Sequence, residues 1–297
     1  MYDIVILGGG PAGLTAALYA ARYKINTAII SKDIGGQVNY AHKVENYPGF
    51  KEISGIELIK KMHEQLNSLK VRIINEEIRN IICNKDGTFT IITNTGSHHS
   101  KSIILAFGTA HRKLNLPEEK KFIGKGISYC AVCDAPLFKN KTVAVYGGSD
   151  SAASAALLLA KYASKVYIIY RKEKLRAEPL RVEQIYSNKK IEIVYNSTIE
   201  GIKGKGKVEA VVLNDKRELK VDGIFIEIGF MPASSLLGNL KIKMDKNEYI
   251  IVDRDMKTNI KGVFAAGDCI SKSLRQIINA AGDGAIAAFS AYLYLKK

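Results

Sequence analysis

The sequence predicts an α/β fold in two domains of similar plan, and three observations carry that expectation: the length, a repeated strand-turn-helix pattern, and a final segment that does not continue the second repeat. At 297 residues the chain exceeds one ordinary domain and suits two of about 100 to 200 residues each. Tyr2 to Gly13 and Thr142 to Ala152 both read as a short β-branched strand, a glycine turn and an alanine-rich helix. The copies lie a domain length apart, too far for a solenoid, so two units of this kind stand in tandem. A strand that feeds a helix through such a turn belongs to a three-layer, Rossmann-like dinucleotide-binding domain, with a largely parallel sheet covered on both faces.

Between the two copies, the apolar spacing of Ile56 to Leu69 predicts a helix, and Val71 to Ile82 and Phe89 to Thr93 read as strands around the turn Asn84-Lys85-Asp86-Gly87. Ser102 to Ala106 is a further strand, before the loop at Leu114 to Pro117. After the second copy come a strand at Val166 to Tyr170 and a helix near Glu178 to Ser187. Hairpin-like strands then run from Ile191 to Ile228, with turns at Gly201 to Gly206 and at Asn214-Asp215. The last stretch holds a strand at Gly262 to Ala265, the turn Ala266-Gly267-Asp268, and a long helix of small residues from Gln276 to Leu295. It reads as a return to the first unit, which makes that domain discontinuous: 1–114 with 240–297, and 115–239 between them.

Composition narrows the function classes. At 47% hydrophobic and 25% charged, the chain falls among ordinary globular proteins. No apolar run approaches the roughly 18 residues that span a bilayer, and Met1-Tyr2-Asp3 lacks the basic start of a signal peptide. A cytoplasmic protein with no membrane partner is the expectation. The net charge of +15 comes from lysines scattered over a solvated surface rather than from basic patches interleaved with aromatics, so nucleic acid is not expected as a partner and acidic proteins are. Four cysteines are too few for a disulfide scaffold.

The chemistry sits in three places. Gly8-Gly9-Gly10-Pro11-Ala12-Gly13 follows a strand and opens a helix. There Gly8 permits the tight turn, Gly10 lets the backbone approach a pyrophosphate, and Gly13 lets helix and strand pack closely. The acid that grips a ribose about 20 residues later is missing, since Ser31-Lys32 stands there. The second copy, Gly147-Gly148-Ser149-Asp150-Ser151-Ala152, carries Ser149 in place of the middle glycine, where a side chain crowds the pyrophosphate. Its next strand ends in Tyr170-Arg171-Lys172, with Arg176 beyond. Guanidinium groups there suit a 2′-phosphate and argue for NADP over NAD. Third, Cys130-Ala131-Val132-Cys133 has the spacing of a redox dithiol, with Asp134 beside it as a proton donor or acceptor. Half a zinc site or two inert thiols are the other readings. Cys83, Cys269 and the histidines (His42, His63, His98, His99, His111) supply no second half, and no metal is expected.

Together, Ser128-Tyr129-Cys130-Ala131-Val132-Cys133-Asp134 between two fingerprints, Gly262 to Asp268, Gly35-Gly36-Gln37, Glu45 to Gly49, Arg171 to Arg176 and Arg275-Gln276 resemble the low-molecular-weight thioredoxin reductases along essentially the whole chain. The resemblance implies that Gly8, Gly10, Pro11, Ala12, Gly13, Gly36 and Gln37 hold FAD. It further implies that Asn46 lies near the flavin, that Gly267 and Asp268 reach the ribityl chain, and that Arg275 and Gln276 line the isoalloxazine. NADPH would bind at Gly147, Gly148, Ser149, Asp150, Ser151, Arg171, Lys172 and Arg176. Cys133 would exchange electrons with the flavin, Cys130 would form the mixed disulfide, and Asp134 would protonate the released thiolate. The family further implies a homodimer, a thioredoxin or glutaredoxin-like partner, and a domain rotation hinged near Leu114 and Leu240. Two rival readings keep the fold: a flavin-dithiol enzyme fed by ferredoxin, which Ser149 keeps open, and a nucleotide-binding redox sensor without turnover.

Overall fold

The computed structural model describes residues 1–41, 44–232, 237 and 240–296. It divides into two compact units, one built from Met1–Ala110 with Met231–Lys297 and the other from His111–Phe230.

The chain opens on strand β1 (Tyr2–Gly9), helix α1 (Pro11–Arg22) and strand β2 (Thr27–Ile34), followed by helix α2 (Gly55–Ser68). Next come strands β3 (Arg72–Ile74), β4 (Ile78–Cys83), β5 (Phe89–Thr93), β6 (Ser97–Leu105) and β7 (Thr109–His111). Ser54 caps α2 with its hydroxyl, which accepts from the backbone N–H of Glu57 at 3.2 Å, as a serine just ahead of a helix is suited to do. The stretch expected as a single strand from Val71 to Ile82 is two, β3 and β4. β3 lies parallel to β2, whereas β4 turns back antiparallel to β5.

In the second unit the elements run β8 (Ile127–Ser128), β9 (Thr142–Tyr146), β10 (Lys165–Ile169), β11 (Ile191–Val194), β12 (Ile199–Lys203), β13 (Ala210–Leu213), β14 (Glu218–Lys220) and β15 (Gly223–Ile226). Its helices are α3 (Glu119–Phe122), α4 (Ala131–Asp134), α5 (Asp150–Leu159) and α6 (Pro179–Ser187). Only β12, β13 and β14 form the expected antiparallel meander. Ile191 to Val194 and Gly223 to Ile226 instead lie parallel in the main sheet. Period-two alternation is common to both kinds of strand, so it could not separate them. Gly201 lies inside β12 at a register shift rather than in a turn, a usual place for a strand glycine.

The chain returns through β16 (Phe230–Pro232), which pairs with β7, and ends with β17 (Val263–Ala265) and helix α7 (Ile277–Leu295). β17 adds to β6 in parallel, which makes the first unit discontinuous. Its sheet runs β3-β2-β1-β6-β5-β4 with β17 beside β6, and the second unit's runs β11-β10-β9-β15-β8.

Both central strands are buried on both faces, and successive side chains divide between two cores. In β1, Ile4 and Ile6 pack against α1, α2 and α7, while Val5 and Leu7 face Ile81, Phe89, Ile250 and Ile270. In β9, Val143 and Val145 pack under α5 and α6, while Ala144 faces the meander. The repeat seen in the sequence is thus a repeat of layering. Among the described residues no helix is long and apolar enough to cross a membrane.

Candidate functional site

In the first unit, the turn between β1 and α1 leaves the first-turn N–H groups of α1 without a side-chain cap. Gly8 has φ +118°, and a Cβ there would collide with the carbonyl of Ala106. A Cβ on Gly13 would collide with the carbonyl of Gly8, whereas one on Gly10 would meet nothing within 4 Å. Open space over Gly10, with uncapped N–H groups behind it and Pro11 at the first helical position, is what a phosphate needs. Gly36, at φ +53°, closes the far side, its Cβ position 3.8 Å from Gly10 Cα.

Ser31, which stands where a ribose-binding acid would be, is already committed within the protein. Its hydroxyl accepts from Gly9 N–H at 3.0 Å and donates to Asp33 O at 2.6 Å. The remaining first-unit residues converge from distant parts of the chain. Gln37 Nε2 donates to Thr109 O at 2.7 Å and to its hydroxyl at 3.0 Å. Asn46 Nδ2 donates to Gln276 Oε1 at 3.1 Å. Arg275 stacks over the Tyr249 ring at 3.8 Å and donates to the carbonyls of Asp268 and Ile270.

Asp268 follows Gly267, which has φ +81° and whose N–H donates to Asp283 at 3.2 Å. One carboxylate oxygen of Asp268, Oδ1, is buried without a hydrogen-bond donor, and Lys272 Nζ stands 3.5 Å away. Burial raises the Asp268 carboxyl above its ordinary range, opposed by the charges of Lys272 and Arg275. An acceptor held dry in this way fits a hydroxyl donor from a ligand. Burial also pushes the neighbouring Cys269 thiol up to about 12, and its S–H donates to Leu105 O and Ala266 O. Cys269 is therefore a packing residue. Thr109, Tyr249 and Asp283 had no sequence signal, because each acts through a partner far away in the chain.

The second unit repeats the turn with different chemistry. Gly147 has φ +150°, and a Cβ there would strike the carbonyl of Glu227; one on Gly148 would enter the Tyr170 ring. Ser149 is the N-cap of α5, yet its hydroxyl makes no capping bond. The loop after β10 is latched to the turn: Arg176 N–H donates to Gly148 O at 2.7 Å, and Glu178 N–H to Asp150 Oδ1 at 2.7 Å. Arg181 donates to Ser154 Oγ at 2.7 Å, one turn into α5. Ser151, Arg171, Lys172 and Arg176 are exposed, and among the described residues none of the three cations is in an ion pair. Burial lifts the Glu227 carboxyl to about 7, a feature the sequence did not signal.

Cys130 and Cys133 are joined in a disulfide with Cα atoms 5.3 Å apart. Cys130 caps α4, its sulfur accepting from Cys133 N–H at 3.2 Å, and Asp134 N–H bonds to Cys130 O at 3.2 Å. Cys133 is exposed, Cys130 half-buried, and Asp134 partly exposed. Ser128 Oγ accepts from Cys130 N–H at 3.0 Å and donates to Cys130 O at 3.2 Å. Cys83 and Cys269 are free. Among the described residues no three His, Cys, Asp or Glu side chains stand together as a metal site; His42 lies outside the described residues.

A family model described as pyridine nucleotide-disulphide oxidoreductase matches residues 2–284. The thioredoxin reductase of Treponema pallidum is 42% identical over 301 residues, spanning 99% of this chain and 97% of its own length. The crystal structure of Lactococcus lactis thioredoxin reductase superposes with a TM-score of 0.96 at 40% identity, over 100% of this chain and 99% of that one. A ferredoxin-flavin thioredoxin reductase from Clostridium acetobutylicum matches with a TM-score of 0.56 at 36% identity, over 99% and 98% of the two chains.

Proposed function

Because the chain belongs to the pyridine nucleotide-disulphide oxidoreductase family, we propose that it passes electrons from NADPH, by way of FAD, to the Cys130–Cys133 disulfide and on to a thioredoxin. The enzyme is a thioredoxin reductase, with Cys130 and Cys133 as its redox-active pair. The family uses FAD and a pyridine nucleotide; NADPH as the donor is our reading. The observation that carries it is the set of three exposed cations, Arg171, Lys172 and Arg176, on a loop latched to the second glycine turn.

When bound, FAD supplies the two-electron chemistry that links a nicotinamide hydride to a disulfide. The first unit is the FAD domain in this reading. Gly8, Gly10, Pro11, Ala12 and Gly13 receive the pyrophosphate, Asp268 takes a ribityl hydroxyl, and Gln37, Asn46, Arg275 and Gln276 frame the ring system. The second unit binds NADPH at Gly147, Gly148, Ser149, Asp150 and Ser151, with the three cations on the 2′-phosphate. Once the pair is reduced, the Cys130 thiolate attacks the thioredoxin disulfide and forms a mixed disulfide. Cys133 then displaces the reduced thioredoxin, re-forming the Cys130–Cys133 bond while Asp134 protonates the departing thiolate.

The exposed apolar side chains Ile286, Phe289 and Leu293 on α7 support a homodimer, and the two free thiols support a cytoplasmic location. Anaerobic titration of the bound flavin with NADPH and NADH, followed by reduction of thioredoxin, tests donor, cofactor and acceptor together. Bleaching by NADPH in preference to NADH is expected. Ser149, with its side chain at the pyrophosphate approach, favours one alternative, a ferredoxin-fed enzyme; flavin that neither nucleotide bleaches and reduced ferredoxin does would replace NADPH with that donor.

A further inference from the structure

Glu119 is a buried carboxylate, 4% exposed, that the disulfide chemistry does not use. Among the described residues, three donors share its two oxygens. Oε1 accepts from Leu114 N–H at 3.0 Å and from the Tyr129 hydroxyl, and Oε2 accepts from Asn115 N–H at 2.9 Å. Leu114 and Asn115 lie just beyond β7, where the chain passes from the first unit into the second. Asn115 takes a left-handed conformation, φ +59°, which turns both N–H groups onto the same carboxylate. Tyr129 is the residue before Cys130. Ser128 on its other side sits in β8, paired to β15, and brackets Cys130 with two hydrogen bonds.

A buried carboxylate needs donors to offset the loss of water, and among the described residues they come from the segment that follows β7 and from Tyr129, the neighbour of Cys130. Leu114 and Tyr129 also border one apolar cluster, and Glu119 adds directed bonds to that packing between a loop and the two-residue link, Tyr129-Cys130, that joins a two-residue strand to a one-turn helix. We propose that Glu119 is a positioning residue for the dithiol: it fuses Leu114-Asn115, the segment that follows β7, to Tyr129, so that this segment and Cys130 move as one body. The inference rests on Cys130–Cys133 being the redox pair of the enzyme. A dithiol that must meet both a flavin and a protein substrate gains from a tie of this kind, because any displacement of the crossing then reaches the sulfurs without slack.

The test uses the flavin-loaded enzyme with Tyr129→Phe, Glu119→Gln and the double variant. Tyr129→Phe removes one donor and touches neither amide. If the three groups act as a unit, hydrogen exchange at Leu114 and Asn115 rises about tenfold in that variant. The kcat for thioredoxin falls about five- to tenfold, while ferricyanide reduction, which draws electrons from the flavin and bypasses the dithiol, stays within about twofold. The double variant is no slower than Glu119→Gln alone. Unchanged exchange at Leu114 and Asn115 overturns the proposal whatever the electron donor. So does a parallel loss of thioredoxin and ferricyanide activity, the sign of a general structural defect. A wild-type enzyme that reduces ferricyanide but not thioredoxin would instead overturn the assignment of the redox pair, an outcome visible before any variant is made.

Discussion

Glu227→Gln should make the second unit more stable above neutral pH and leave it unchanged in acid. Glu227 follows β15, its N–H donates to Tyr146 O at 2.8 Å, and its carbonyl backs the Gly147 turn. Burial lifts its carboxyl from 4.5 to about 7. Between those two values the folded chain holds a proton that the unfolded chain has lost, so stability falls as pH rises through that window. Above pH 7 the full cost is present. At about 1.4 kcal/mol per pH unit of separation, it comes to about 3.5 kcal/mol, an upper bound because water can relax around the charge. Glutamine keeps the shape and cannot ionise, so the stability gap between variant and wild type should open from zero near pH 4 to about 2–3 kcal/mol near pH 8.5. The chain has no tryptophan, so urea unfolding followed by far-ultraviolet circular dichroism, with tyrosine fluorescence as a second probe, is the assay. A gap of the same size at both pH values, or one that closes as pH rises, would refute the reasoning. The same proton bears on nucleotide binding: an ionised Glu227 adds negative charge behind the turn meant for phosphates, so the KM for NADPH should climb above pH 7 in the wild type and stay flat in the variant.

Replacing Arg171 and Arg176 together by alanine should raise the KM for NADPH by about 10- to 100-fold, since charge-assisted bonds to a phosphate are worth about 1.5–3 kcal/mol. The KM for NADH should hardly move, and steady-state kinetics with the two nucleotides would show an equal loss for both if the loop does not read the 2′-phosphate. Gly13→Ala drives a methyl into the carbonyl of Gly8, and the purified variant should lack the yellow of bound flavin; a fully yellow protein would remove the Gly8–Gly13 turn from the FAD site. Ser149→Gly clears the approach to the second turn and should lower the KM for NADPH severalfold, whereas a rise would mean that the uncapped Ser149 hydroxyl itself contacts the nucleotide.

The glycine turns were legible in the sequence because backbone geometry leaves few alternatives: at Gly8, Gly13 and Gly147 a side chain has nowhere to go. The dithiol was legible because two intervening residues bring the sulfurs together in one turn of chain. The hidden part depends on long-range contact. Nothing local to Gln37 points to Thr109, nothing near Asn46 points to Gln276, and Glu119 looks like one more surface acid in Glu118-Glu119-Lys120-Lys121 until the fold buries it. β8, two residues long, is too short to carry a pattern, yet it places Ser128 beside Cys130.

The glycine pattern alone could not tell one nucleotide from the other. Both units use the same strand-turn-helix, and the difference lies within the next strand in the first unit and just beyond it in the second. Within β2, the position where an acid would grip a ribose is occupied by Ser31, whose hydroxyl is spent between Gly9 and Asp33. The ligand-facing chemistry we propose for that unit comes instead from Asp268, Arg275 and Gln276, brought back by the final stretch of chain. After β10 the corresponding loop is latched by its backbone to Gly148 and by Glu178 N–H to Asp150, and it exposes Arg171, Lys172 and Arg176, the cations we propose for a phosphate. A discontinuous first unit is thus more than a matter of topology. Without residues 240–296 its turn would retain the open space over Gly10 and lack the carboxylate, guanidinium and amide groups that we propose distinguish a flavin from any other dinucleotide.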